Sequence, residues 1–492
     1  VKTRDLIVAL DQGSSSSRAV LFDLKGRVVA SASRPVKTRR PKAGWAEHDA
    51  NELATTLEAS LDAVLSKLAP KDRVLGAGLA VQRSTIVFCD RTSFKPVAPA
   101  PSWMDGRAAE FVSGLQDRQG EVHGLSGLYA TPYYSAPKIR WFLDREPKVR
   151  ALADAGKLLC APVSTFVAAR LTKGAVVAAD PTCAQRTLLM NLDTMSWDPG
   201  LLALLGLSAE ILPSIRPSSG DWGVIERKGH KFPLLATVGD QQSAAIGLGA
   251  SSEGEAVANY GTGAFLLRHT GPRPERAPGL LSSVAATSGA LRGYYLEGTV
   301  HAAGTSFEWL RDNLGLMKDA KAIDAAFKRS KKRVLALPAI GGLGAPRWDY
   351  KTKTAFFGLD SQTTGDDLVR AVAEGLCMLV ADAAAVMTAA GSPVTRARVA
   401  GGLSLSDAMM SFQADALGAV LQRRKEVEAT ALGAAILAAK AAGVPDADKM
   451  SDAKVEKTFS PTSDETVRAK RRSEWTAFVE STQRLSREIS LA

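Results

Sequence analysis

A short hairpin design that occurs twice constrains this chain more than any other feature in it. "LIVAL" (6–10) is a β-type apolar run, "DQGSSSS" (11–17) follows it, and "RAVLFD" (18–23) carries the chain back out. Gly26 in "LKGR" (24–27) then turns it into "VVASAS" (28–33). The order strand, glycyl and hydroxyl turn, strand returns at "EAVANY" (255–260), "GTG" (261–263) and "AFLLRH" (264–269). "TG" (270–271), "PRPERAP" and "GLLSSVAAT" follow. One such unit opens each half, so the pattern predicts two α/β domains of like architecture, although the halves share negligible identity. A chain of 492 residues also exceeds what one core usually serves. The boundary is expected near residue 247, giving domains 1–247 and 248–492.

Between these units the periodicities place the remaining elements. Leu53, Leu57, Leu61 and Leu65 recur at helical spacing over 50–68, and "RVLGAGLAV" (73–81) reads as a buried strand. In the second half a capped amphipathic helix is expected at 306–315. A helix at 366–390 is apolar almost all round and therefore buried. Strand and turn follow at 394–402, then a helix at 405–418. "ATALGAAILAAKAAG" (429–443) is a small-residue helix suited to close packing, and an amphipathic segment at 464–488 docks on the surface.

Bulk properties exclude several classes. The net charge of +11 sits in short clusters, "KRSKKR" (328–333) and "KRR" (470–472), without interleaved aromatics. These read as solvated helix ends or loops, which argues against a nucleic-acid partner and for a surface that attracts anionic metabolites. Cys89, Cys160, Cys183 and Cys377 lack CxxC spacing, so neither a zinc site nor a disulfide framework is expected. A reduced, cytoplasmic setting fits. No apolar run is read as reaching the roughly 20 residues that span a bilayer, so no membrane insertion is expected. The first residues enter a strand at once, leaving no room for a secretory signal.

Two places carry chemistry. In "DQGSSSSR" (11–18) Gly13 lets the backbone approach a ligand, successive N–H groups and four hydroxyls can surround phosphate oxygens, and Arg18 adds positive charge. Asp11 stands where a carboxylate can hold hydrated magnesium beside phosphate. A serine-rich hairpin that caps its own turn is the plain alternative. "YGTG" (260–263) gains weight only as the partner of that loop, since a triphosphate needs donors from two sides. The second place is "TVGDQQSAAIGLGAS" (237–251), where a buried strand meets a small-residue helix at Asp240, Gln241 and Gln242. Asp240 there is either a helix cap or a catalytic base. No Walker A or GxGxxG pattern occurs. Phosphate gripped by hairpins from two duplicated halves is the pattern of the actin, hexokinase and heat-shock ATPase superfamily, which leaves a small-molecule kinase or an ATP-driven chaperone or filament protein.

The full motif set favours the kinase. "ALDQGSSSSRAVLFD", "GWAEHD" (44–49), "PYYSAPKIRWFL" (132–143), "GDQQSAA", "YGTGAF", "LEGTVHAAGTSFEWLRD" (296–312), "GLGAPRWD" (342–349) and "TALGAA" (430–435) resemble the FGGY family of carbohydrate kinases from about residue 6 to residue 443. Within that family they are most similar to the glycerol kinases. The resemblance implies two actin-like (ribonuclease H-like) domains with ATP, Mg2+ and substrate in the interdomain cleft. It implies that Asp240 is the general base, that Gln241, Arg83 and Tyr133 bond a polyol, and that Trp103 and Phe265 wall its carbons. It assigns magnesium to Asp11 and the phosphates to Ser14, Ser15, Ser16, Arg18, Thr262 and Gly263. Gly304, Glu308, Gly402 and Ser406 would line the rest of the nucleotide site.

The chain also departs from that pattern. Ser84 stands where glycerol kinases carry a glutamate that accepts hydrogen bonds from glycerol, so Ser84 would touch substrate with less charge and more room. Asp105 in "SWMDGRA" (102–108) is either a contact for a larger substrate or an ion pair with Arg107. Ser406 and Asp407 replace an asparagine near adenine, and Glu308 replaces a glutamine. "ERKGHKFP" (226–233) is shorter than the loop through which some relatives bind a regulatory sugar bisphosphate, so that regulation is not expected. The expectation is ATP-dependent phosphorylation of a terminal hydroxyl, with glycerol first and a four- or five-carbon polyol or ketose, such as erythritol or xylulose, as the alternative. An ATP-binding regulator without transfer activity is the remaining reading. A homodimer or homotetramer is compatible with the resemblance.

Overall fold

The computed structural model describes residues 3–489 except 290, 425–427 and 453–454. Its first large sheet runs Val224–Arg227, His230–Gly239, Asp72–Val81, Arg4–Gln12, Ser16–Asp23, Val28–Pro35 in spatial order. The last three form an antiparallel meander, with Leu6 opposite Asp23 and Gln12 opposite Ser17. Arg4–Gln12, Asp72–Val81 and His230–Gly239 are mutually parallel, and Val224–Arg227 closes the edge as an antiparallel hairpin partner.

The second sheet repeats this plan. Ala256–Tyr260 and Ala264–Gly271 form the antiparallel hairpin and Tyr294–Val300 continues it. Arg396–Ala400 and Val420–Arg424 add parallel strands, and Val455–Phe459 is the antiparallel edge. Leu281–Val284 extends the far side as a seventh strand. The duplicated architecture read from the two hairpins is therefore present, strand for strand.

Parallel neighbours need a crossover. Helix Ala50–Leu65 supplies one in the first lobe, burying Leu53, Leu57, Leu61 and Leu65. In the second lobe helix Gly365–Ala389 has 25 residues and meets the length and composition of a membrane span, contrary to the expectation that no run would. In the fold, 72% of its apolar window is buried, so it is the core helix its all-round apolar pattern predicts. The first turn is tighter than expected. Ser16 and Ser17 already lie in a strand, and the Ser17 hydroxyl is buried, donating to Gln12 Oε1 at 2.9 Å.

The small-residue helix Ala429–Ala441 comes from the second half yet lies on the first sheet and on helix Asp240–Gly247. Glycines permit this approach. A Cβ added at Gly433 would stand 1.8 Å from Ser243 O, and one at Gly78 would stand 2.1 Å from Ala434 O. Both obstacles are backbone and cannot rotate away. We expect Gly433→Ala to destabilise the protein by about 1–3 kcal/mol, read as a lower urea midpoint at unchanged slope. An unchanged midpoint would mean that the contact is looser than described.

Candidate active site

A cavity of about 600 Å³ opens between the two sheets where both hairpin turns converge. In the first turn the Gly13 N–H donates to Ser16 O at 2.9 Å, and in the second the Gly261 N–H donates to Gly263 O at 2.9 Å. Among the cavity's lining residues are Ser14, Arg83, Ser84, Trp103, Tyr133, Asp240, Gln241, Thr262, Gly263 and Phe265. All the substrate-side residues named from the sequence therefore share one space with residues of both turns.

Asp240 sits where strand His230–Gly239 becomes helix Asp240–Gly247. It is not the helix cap. Gly239 occupies that position without a side-chain bond, and among the described residues the Asp240 carboxylate accepts only the adjacent Gln241 N–H, at 2.8 Å. Its place is set from below. The Gly239 N–H donates to Thr182 Oγ1 at 2.7 Å, and that hydroxyl donates to the buried Asp180. The Asp240 side chain is 37% exposed, with Arg83 Nε at 3.5 Å, and that exposure is to the cavity it lines. Burial raises its pKa above the ordinary aspartate value, while Arg83 and the Gln241 N–H oppose the rise.

The two amides have separate tasks. Gln241 Oε1 is buried and has no hydrogen-bond partner among the described residues, so a ligand hydroxyl in the cavity would satisfy it. Gln242 Oε1 accepts from Arg83 at 3.2 Å, and its Nε2 donates across the cleft to Val284 O at 3.1 Å. Ser84 holds a left-handed backbone (φ 64°), a conformation that few non-glycine residues adopt.

Four contributors were not singled out from the sequence, although Lys138 and Glu297 lie within motifs quoted above. Arg186 and Glu297, from opposite halves, form a buried ion pair at 2.5 Å, and Arg83 lies 3.9 Å from the same carboxylate. Burial opposes ionisation of Glu297, yet Arg186, Arg83 and the Ser283 hydroxyl hold its pKa below the usual glutamate value. Lys138 is fully buried and donates to Ser102 O and Tyr133 O, both at 2.8 Å, which ties together the loops carrying Trp103 and Tyr133. Those two rings meet with centroids 4.9 Å apart. Tyr350, from the second half, completes the wall. Glu297 lies within a strand and Lys138 within a helix, whereas Arg186 and Tyr350 stand in turns outside the two glycine hairpins.

Asp105 does not face the cavity. It is buried, bonded to Arg107 Nε at 2.7 Å and to the Ala46 N–H at 2.7 Å, and Arg107 also reaches Glu47 at 2.8 Å. The ion-pair alternative is the correct one.

The nucleotide-side residues spread from the same turns. Gly304 opens helix Gly304–Asp312 against the second turn, its N–H donating to Gly261 O at 2.9 Å. A Cβ there would stand 2.8 Å from that oxygen. Glu308 is exposed on the same helix. Ser15 is exposed at the first turn, Ser16 is half-buried, and Arg18 pairs with Glu428. Gly402 follows Gly401, which lies against Tyr260 O at the end of strand Ala256–Tyr260. Ser406 caps helix Asp407–Leu417 and donates to Asp324 at 2.8 Å, while Asp407 pairs with Arg423 and Lys457. The 226–233 segment is a hairpin turned at Lys228 and Gly229, both with positive φ.

Asp11 fits a cation. Burial and the neighbouring carboxylates of Asp240 and Glu428 push its pKa up to about 7, against only Arg18 as counter-charge. No group of three or more His, Cys, Asp or Glu side chains gathers to hold a metal among the described residues. A magnesium ion at Asp11 would therefore take its other ligands from phosphate and water, as that ion prefers.

Two matched lobes, each contributing a glycine turn to a shared cleft beside a carboxylate, define an α/β phosphotransferase. The chain matches the N-terminal domain of the FGGY family of carbohydrate kinases over residues 6–247 and its C-terminal domain over residues 256–442. It belongs to that family. It is similar to the glycerol kinase of Alkalilimnicola ehrlichii, 39% identical over 92% of this chain and 94% of the relative. The glycerol kinase of Thermus brockianus is also 39% identical, over 87% of this chain and 88% of the relative. The fold superposes on Plasmodium falciparum glycerol kinase solved with ADP, with a TM-score of 0.92, 29% identity and coverage of 97% and 98%. A gluconate kinase from Lactobacillus acidophilus, 22% identical with a TM-score of 0.86, shares the fold.

Glu297→Gln leaves the buried Arg186 guanidinium without its carboxylate and takes from Arg83 one of its two. We expect it to destabilise the protein by about 3–5 kcal/mol in urea unfolding. A loss below about 1 kcal/mol would place the cluster with solvent-screened pairs instead.

Proposed function

We propose that the chain transfers the γ-phosphoryl group of ATP to a terminal hydroxyl of a small polyol, with glycerol as the first substrate. One observation carries the reading. A carboxylate of raised pKa (Asp240), an unpartnered buried amide oxygen (Gln241) and both glycine turns line the same cavity. The similarity to named glycerol kinases over nearly the whole chain supports the substrate. In this reading the lobes are residues 1–247 and 248–492, with helix Ala429–Ala441 fastening the second to the first. Four free, buried cysteines suit a reducing cytoplasm.

The chemistry follows from the residues. Gln241, Arg83 and Tyr133 orient the polyol against Trp103 and Phe265. Asp240 accepts the proton of the attacking hydroxyl, whose oxygen bonds to the γ-phosphorus as the bond to the β-phosphate bridging oxygen breaks and ADP leaves. The turns at Ser14, Ser15 and Ser16 and at Thr262 and Gly263, with Arg18, hold the phosphates from both lobes. Gly304, Glu308, Gly402 and Ser406 border the base and ribose. A magnesium ion held by Asp11 would neutralise charge on the phosphate oxygens. Ser84 supports a second substrate class, because a serine there removes one carboxylate acceptor and leaves space for a four- or five-carbon polyol or ketose.

A phosphotransfer assay with glycerol, dihydroxyacetone, erythritol, ribitol and xylulose tests this, with glycerol expected to be turned over. ATP binding without transfer to any of them would replace the kinase by a regulator of the same fold. Asp240→Asn should lower turnover about 10²–10⁴-fold at nearly unchanged nucleotide affinity. The base-competent carboxylate is lost as pH falls through its raised pKa. The acid limb of the wild-type rate profile should therefore lie above the ordinary aspartate range and vanish in the variant. A variant with near-normal turnover would remove Asp240 from the mechanism.

A further inference from the structure

We propose a second small-molecule site in the outer part of the second lobe, for an organic phosphate with a planar or apolar body. A separate cavity of about 630 Å³ lies among the Lys331–Ala336 segment and helices Lys321–Arg329, Gly365–Ala389, Asp407–Leu417 and Glu465–Glu488. No residue assigned above to ATP or polyol lines it. The two basic runs that read from the sequence as solvated helix ends or loops meet at its wall. The first contributes Lys331, Lys332 and Arg333, and the second contributes Arg471.

The carboxylates of this wall are already engaged. Asp367 accepts the N–H groups of Thr364, Lys331 and Lys332 at 2.8, 2.9 and 3.0 Å, which helps hold its pKa far below the usual carboxylate range. Asp415 accepts the Ser463 N–H at 3.0 Å, and Glu374 pairs with Arg370 at 2.7 Å. Lys332 is paired with Asp360 and Arg333 with Glu474. Among the described residues two cations of this wall remain for an incoming anion. Lys331 is exposed at the rim. Arg471 lies 4.6 Å over the Phe412 ring, and its Nη1 is buried with no hydrogen-bond partner among the described residues. A buried guanidinium N–H without an acceptor is costly, and a phosphate oxygen is the acceptor it matches best. Phe327, Phe412 and Trp475 supply an apolar surface beside it, which selects a ligand with a ring or apolar body over bare phosphate.

Calorimetric titration of the full chain with phenyl phosphate tests the proposal, with inorganic phosphate as the second probe. We expect one saturable phenyl phosphate site, weakened about tenfold or more by Arg471→Gln and less by Lys331→Gln. It should be unaffected by Arg83→Gln in the interlobe cavity, and inorganic phosphate should bind more weakly. Basal phosphotransfer of Arg471→Gln and Lys331→Gln should match wild type. Should Arg471→Gln fail to fold, Lys331→Gln on the exposed rim carries the comparison. Absence of saturable binding, equal affinity for the two probes, or binding lost in Arg83→Gln and kept in Arg471→Gln and Lys331→Gln would each overturn the site.

Discussion

A guanidinium held between carboxylates of two different lobes is the contact on which the site depends. Arg83 faces Asp240 from its own half and Glu297 from the other, and Arg186 neutralises the far side of Glu297. Three buried charges beside a fourth that faces the cavity are tolerable only when each finds a counter-charge and a hydrogen bond. Ser283 and Gln242 supply two of those bonds. The consequence is functional. Burial alone would favour a protonated Asp240, and Arg83 draws it back toward the charged form, so the residue is poised rather than silenced.

Around this contact the fold is built for close approach. Each sheet delivers one glycine turn to the cleft, because each repeats the same meander followed by parallel strands. Helix Ala429–Ala441 then crosses from the second half to lie on the first sheet, at distances that Gly433, Gly247 and Gly78 alone permit.

Much of this was legible in the sequence. The hairpins at Asp11–Arg18 and Tyr260–Gly263 announced themselves because turns concentrate glycine and hydroxyls, and leucine spacing placed helix Ala50–Leu65. The stretch at Asp240 was legible only in part, because a carboxylate at a strand end is as readily a helix cap as a base and only the family resemblance favoured the base. Glu297 and Arg186 could not be read, since each lies in an ordinary strand or helix end and becomes meaningful only when its partner arrives from the other half. Lys138 was hidden for the same reason. It sits within the helical pattern of Ser135–Arg145, and its buried carbonyl partners come from separate loops. Asp105 was ambiguous because local spacing alone does not say which way a side chain turns, and Arg107 claimed it. Ser17 was over-read for a comparable reason, since strand alternation buries it while its neighbour Ser16 stays partly open.

The most direct test is a crystal structure with a non-hydrolysable ATP analogue and glycerol bound together. The account predicts a triphosphate between the turns at Gly13–Ser15 and Gly261–Gly263. It also predicts a terminal glycerol hydroxyl within about 2.6–3.2 Å of the Asp240 carboxylate. A triphosphate touching one turn only, or glycerol lodged where Asp240 meets nothing but Arg83, would contradict it.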